Sequence, residues 1–229
     1  MKNLTVENWI ILNALFMVIG GIGVLYSLPL ISILVLGILS FTVLLYFGTS
    51  SFQQWKPYGG YANRITLFRL LVLIFTVTQV EYFSNIQLFI LFSSCLLLDG
   101  VDGVVARHYK QESEWGALFD KEVDSFFVFV LSLILYQYYE IPVWIVTIGL
   151  LHYFYEIVLY FLNWQHIVTK KNPIGRYVAF LLFVGLLIPL IINHSWIAII
   201  LGVISGLTLV SFGISFFMKY KNWKVNSIS

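Results

Sequence analysis

The chain has 229 residues, of which 60% are hydrophobic and 10% charged, and its formal net charge is +2. Soluble domains carry about 25% charged residues, so a water-soluble globule is excluded, and so small a net charge leaves no electrostatic footprint for nucleic acid. A mean hydropathy of +0.90, with 20 Phe, 14 Tyr and 7 Trp, makes lipid the main solvent, and the expected fold is an all-α polytopic membrane bundle.

A bilayer core of about 30 Å needs about 20 apolar residues per helix. Eight stretches meet that length, at about 8–26, 29–47, 65–81, 86–105, 116–138, 142–163, 174–192 and 196–218. The first follows Lys2 as a secretion signal would. It lacks a small-residue cleavage site before Pro29, and a second apolar run follows at once, so it is read as retained. Pro29, Pro142 and Pro173 fall where helices should begin, the position that tolerates a missing N–H. The connection at 49–62 mixes Trp55, Tyr58 and Tyr61 with glycines and Pro57, which suits a segment lying in the headgroup layer.

Basic residues at the ends of spans stay in the cytoplasm. With the N-terminus inside, the outer turns near 27, 81–85, 139–141 and 193–195 contain no Lys or Arg, and all 13 basic residues fall at or near inner ends. Eight spans with both termini cytoplasmic satisfy that rule, with residues 220–229 as an inner tail.

Seven of the 11 acidic residues, Asp99, Asp102, Glu112, Glu114, Asp120, Glu122 and Asp124, lie within 26 residues at the inner ends of the fourth and fifth stretches. Asp99 and Asp102 are three apart and Asp120 and Asp124 four apart, so each pair shares a helix face. Two antiparallel helices joined near Lys110 to Ser113 would bring four carboxylates together. Each ionised carboxylate near hydrocarbon costs on the order of 3 kcal/mol on insertion scales, so a positive partner is required. The only cysteine, Cys95, is read as a packing residue and permits no thiolate cluster. Oxygen ligands alone point to Mg²⁺ or Mn²⁺, and four carboxylates suffice for two ions. Glu112, Glu114 and Glu122 are read as solvated charges of the polar turn. Gly103 and Ala106 leave one helix face without bulk, where a phosphate-bearing ligand could meet Arg107; small-residue helix packing accounts for the same residues without a ligand.

Residues 99–124, DGVDGVVARHYKQESEWGALFDKEVD, match at every fixed position the signature D-x-x-D-G-x-x-A-R, eight residues, G, three residues, D, three residues, D. That stretch resembles the CDP-alcohol phosphotransferase family. Upstream, Asn63, Thr66 and Arg69 in NRITLFR resemble the family's N, T and R pattern. The resemblance implies a core of six membrane helices, here 63–219, preceded by an extra hairpin at 1–48 to which no function attaches. It implies transfer of a substituted phosphate from a CDP-linked donor to an alcohol, with release of CMP. Asp99, Asp102, Asp120 and Asp124 would hold the metal pair, with Asp124 also the base toward the acceptor. Gly103, Ala106 and Arg107 would receive cytidine and diphosphate, Gly116 would permit close helix approach, and Asn63 and Thr66 would line the nucleotide pocket. A homodimer is implied as well.

A chain of this size looks more like the enzymes that use CDP-diacylglycerol with a small polar acceptor than those that use a CDP-aminoalcohol with diacylglycerol. Lys170, Lys171 and Arg176, with Glu156, are candidates for the acceptor pocket, Arg176 as the one to grip an acceptor phosphate. Glu156 could equally make a structural hydrogen bond. His108 and His152 are read as hydrogen-bonded packing residues. A cation channel or transporter is the reading of a different class, since acids inside a helical bundle would serve it too.

Overall fold

The computed structural model describes residues 2–52, 60–167, 173–192 and 194–226, and all its regular elements are helical. They are α1 (Lys2–Leu25), α2 (Ile31–Phe52), α3 (Tyr61–Thr78), α4 (Asn85–His108), α5 (Glu114–Tyr138), α6 (Trp144–Gly149), α7 (Leu151–Phe161), α8 (Pro173–Leu187), a 3₁₀ turn at Ile188–Leu190 and α9 (Ile197–Asn226). Each of the eight apolar stretches is helical, the sixth being divided at Leu150 into α6 and α7. Among the described residues, four helical segments are long and apolar enough to cross a membrane, at 6–25, 61–78, 85–108 and 197–225. α5 is long enough but carries Asp120, Lys121, Glu122 and Asp124 in its early turns, which makes it more polar than those four. α9 continues past 218 to Asn226. Of the expected interfacial connection, residues 53–59 lie outside the described residues, as do Lys170 and Lys171.

Local chemistry sets the starts of the two helices that carry the four aspartates. Ser84 and Gln87 form a reciprocal capping box on α4, with Ser84 N donating to Gln87 Oε1 at 2.8 Å. Ser113 accepts from Gly116 N at 3.0 Å and caps α5, a contact worth about 1 kcal/mol. Between the two, Lys110 adopts a positive φ of 54° and reverses the chain.

α5 is the central helix. Every residue from Phe126 to Leu135 is buried, the pattern of a helix apolar on all sides and surrounded by others. The outer helices turn Leu12, Phe16 and Ile19 of α1 and Ile199, Val203 and Val210 of α9 outward, a surface that suits lipid. α1 and α2 are packed into this body: Phe41 of α2 sits edge-on to Phe119 and Phe126 of α5, with ring centroids 6.3 and 5.5 Å away.

A buried polar chain fastens them further. Trp9 Nε1 donates to the Ser40 carbonyl at 2.9 Å, Ser40 Oγ to Asn13 Oδ1 at 2.7 Å, and Asn13 Nδ2 to Glu122 Oε2 at 2.9 Å. His152 Nε2 lies 3.0 Å from Glu122 Oε1, in keeping with its reading as a hydrogen-bonded packing residue. The solvated role expected of Glu122 is thus corrected, since its side chain is 1% exposed. Two residues along a helix is a rotation of about 200°, so Glu122 faces away from Asp120 and Asp124, toward α1 and α7.

Candidate active site

Three helices build the acidic site. α3 supplies Asn63, Thr66 and Arg69, α4 supplies Asp99, Asp102 and Arg107, and α5 supplies Asp120 and Asp124. At their centre lies Arg69, whose side chain is 3% exposed. Its Nη1 is 2.9 Å from Asp99, 2.8 Å from Asp102 and 2.9 Å from Asp120, and its Nη2 reaches Asp124 at 2.5 Å. Thr66 Oγ1 donates to Asp102 Oδ2 at 3.1 Å, so the most buried of the four carboxylates has two protein donors.

The positive partner that the sequence requires is therefore present within the protein. Sequence reasoning placed Arg69 only in a family pattern. The signal that could have found its role was an arginine flanked by Phe68, Leu70 and Leu71 in an apolar span, since a charge at membrane depth needs a counter-charge. One guanidinium does not balance four carboxylates, and the cluster around Arg69 keeps a formal excess of three negative charges. Asp99, Asp120 and Asp124 each offer an oxygen, and these oxygens lie within 4.8 Å of one another. Cys95 contributes nothing, because its Sγ faces the Arg69 carbonyl at 3.9 Å. An all-oxygen donor set with surplus negative charge fits a hard divalent cation.

Beside the carboxylates a cleft of about 160 Å³ opens between α3, α4 and the start of α5. Asn63, Thr66, Gly103, Ala106, Arg107 and Gly116 all line it, together with Asp102 and Asp120. The first turns of α3 and α5 approach closely because Gly116 has no side chain: a Cβ there would stand 2.7 Å from Asn63 Oδ1. A Cβ on Gly103 would meet only the Arg107 guanidinium, at 3.6 Å, so this stretch of α4 leaves its backbone open to a ligand.

A second, largely apolar cavity of about 330 Å³ has Asp120, Lys121 and Asp124 at one end and Val128, Leu182, Phe183 and Phe212 along its walls. Of the acceptor candidates, Glu156 is buried and accepts from Lys121 Nζ at 2.5 Å. Arg176 is exposed on α8 and lines neither of these cavities. His108 is exposed at the end of α4, its ring 4.9 Å from that of Tyr109.

An acidic site of oxygen ligands in an apolar helical bundle, beside a cleft lined by an arginine, suits chemistry on a phosphate-bearing group. The chain belongs to the CDP-alcohol phosphatidyltransferase family, whose model matches residues 60–210, about two thirds of its length. No curated protein and no solved structure matches it. Members of the family act in phospholipid biosynthesis and generally use a divalent metal, which the carboxylates described above fit. The channel reading has no support beside a transferase family assignment.

Proposed function

We propose that this protein transfers a phosphatidyl group from CDP-diacylglycerol to a small polar alcohol and releases CMP, with two Mg²⁺ or Mn²⁺ ions held by Asp99, Asp102, Asp120 and Asp124. The convergence of the four aspartates on Arg69, with Asp102 and Asp120 lining the cleft beside Asn63, Thr66 and Arg107, carries this reading. Bound metal would neutralise the diphosphate and the charge that develops at phosphorus. Arg107 would add a guanidinium for the diphosphate, Asn63 and Thr66 would orient the nucleotide, and the open backbone at Gly103 would let it lie close.

In the transfer, a bond forms from the acceptor oxygen to the phosphatidyl phosphorus while the bond from that phosphorus to the bridging oxygen breaks. CMP departs with the bridging oxygen, and the hydroxyl proton passes to a carboxylate oxygen of Asp124. That carboxylate, near pKa 4 in its ordinary state, accepts the proton as the new bond forms rather than beforehand. Arg69 would hold all four carboxylates in register, and the apolar cavity that begins at Asp124 would take part of the acyl chains. Within this reading the chain crosses the membrane eight times, works as a homodimer, has an extra hairpin at 1–48 before its six-helix core and keeps both termini and the site cytoplasmic. A cysteine placed at Ser227 should then react with an impermeant reagent only after the membrane is opened.

The test is CMP release by purified protein in detergent with Mn²⁺ or Mg²⁺, comparing CDP-diacylglycerol plus a panel of alcohols with CDP-choline plus diacylglycerol. Release in the first mixture alone supports the reading. Release in the second alone would transfer the protein to the CDP-aminoalcohol class.

A further inference from the structure

A third cavity, of about 300 Å³, lies between α1, α5, α7 and α9, at the small end of the 300–1,000 Å³ typical of small-molecule sites. Its charged lining is balanced: Glu7 from α1 and Glu156 from α7 stand against Lys121 from α5 and Lys219 from α9. All four come from the helix ends that the distribution of basic residues assigns to the cytoplasm.

These groups are held without being used up. Lys121 donates to Glu156 Oε1, while its side chain remains 51% exposed. Lys219 Nζ donates to the carbonyls of Trp164 and Ile167 at 2.9 and 3.0 Å, which leaves one of an ammonium's three N–H donors. Glu7 meets His166 Nδ1 at 3.4 Å at the rim and is 25% exposed. Fixed charges with spare hydrogen-bonding capacity are what a polar ligand needs to be oriented.

The cavity also shares a wall residue with the apolar cavity beside the reacting centre. Lys121 lines both this pocket and the apolar cavity that contains Asp120 and Asp124. On α5 it lies three residues before Asp124, on the same helix face. Three spaces therefore converge on the first turns of α5: a cleft ending on Arg107, an apolar cavity, and a pocket of mixed charge. They correspond to the three parts of the proposed reaction, a nucleotide diphosphate, a lipid chain and a small alcohol.

We infer that the mixed-charge pocket binds the acceptor, and that the acceptor is a small zwitterionic alcohol carrying an ammonium and a carboxylate near its hydroxyl. The inference rests on the phosphatidyl-transfer reading and names its second substrate. A phosphate-bearing alcohol would bring surplus negative charge into a lining with no net positive charge. A zwitterion would instead set its carboxylate toward Lys121 and Lys219 and its ammonium toward Glu7 and Glu156, leaving the hydroxyl to extend past Lys121 toward Asp124. α1 lies outside residues 60–210 matched by the family, so Glu7 gives the extra N-terminal helix a role in choosing the substrate.

The experiment has two parts, both on the full chain in detergent. In the first, serine as the zwitterionic probe is compared with glycerol, inositol and glycerol 3-phosphate by saturation-transfer NMR without donor, for the wild type, Glu7→Gln and Lys219→Gln. In the second, CMP release is followed with CDP-diacylglycerol and the same alcohols. Serine should bind the wild type and have the lowest KM of the four alcohols. Each substitution should weaken serine binding and raise its KM about tenfold or more, the loss expected for one hydrogen bond to a charged group, while the CDP-diacylglycerol KM stays within about twofold.

Glu7→Lys gives the pocket net positive charge and should shift preference from serine toward glycerol 3-phosphate, a gain that damaged folding would not produce. Transfer to glycerol 3-phosphate or inositol with no serine binding would overturn the inference and leave phosphatidyl transfer standing, as would a serine KM indifferent to both neutral substitutions. Serine binding that the substitutions weaken, in a protein that releases no CMP from CDP-diacylglycerol, would support the pocket and locate the failure in the donor.

Discussion

Two carboxylate sites lie on opposite faces of α5, and they are built to opposite ends. On one face Asp120 and Asp124 join Asp99 and Asp102 around a single arginine. Asp99, Asp120 and Asp124 are 26 to 38% exposed there, and negative charge is in excess. On the other face Glu122 is 1% exposed and meets Asn13 and His152, one for each oxygen. The first arrangement is underfilled and open, which suits a site that takes up cations and substrate. The second is matched donor for acceptor and closed, which suits a fastening between helices. A carboxylate's role here follows from how its charge is compensated more than from its depth.

The sharpest way to break the contrast is Asp124→Asn. On the open face it should lower CMP release by about 10²–10⁴-fold, the range for loss of a positioned general base. The midpoint of thermal unfolding should not fall, because one of four crowded like charges is removed and Arg69 keeps three partners. A lower midpoint with intact turnover would make Asp124 a structural group.

Arg69→Met should lower stability as well as CMP release, since Arg69 contacts all four carboxylates. Without its cation the acidic cluster should destabilise the fold by about 3–5 kcal/mol, as when one partner of a buried charge group is deleted. Added Mn²⁺ should recover much of that loss. Thermal unfolding in detergent, with EDTA and with Mn²⁺, reads both, and equal midpoints in the two buffers would argue against a metal site at these aspartates.

On the closed face Glu122→Ala should cost about 2–3 kcal/mol, because it leaves Asn13 and His152 with buried polar groups unpaired. Its midpoint should be insensitive to Mn²⁺, and Glu122→Gln should recover part of the loss. A metal-dependent midpoint in Glu122→Ala would mean that the two faces are coupled through α5. Asn13→Ala tests the same fastening from the α1 side. It should cost about 2–3 kcal/mol, since it removes a hydrogen bond to a charged group and leaves Ser40 Oγ without its acceptor, and should leave the metal concentration for half-maximal CMP release unchanged.

The sequence by itself determined the solvent class, the positions of the helices and the membership of the acidic site. These are local properties. Apolar length, a capping Ser113 and the three- and four-residue spacing of the aspartates each act within one or two turns of helix. The cleft was legible for the same reason, since Gly103, Ala106 and Arg107 follow one another on α4 and Gly116 opens α5. Only the tertiary structure decided what faces what. Arg69 is 30 residues or more before the carboxylates it binds, Asn13 is 109 residues from Glu122, and Lys121 is 35 from Glu156. Helical periodicity assigns a residue to a face but not to a neighbour. Hence Glu122 read as one more charge of a polar turn until its place opposite Asp120 and Asp124 turned it inward, toward helices that lie far away in the chain.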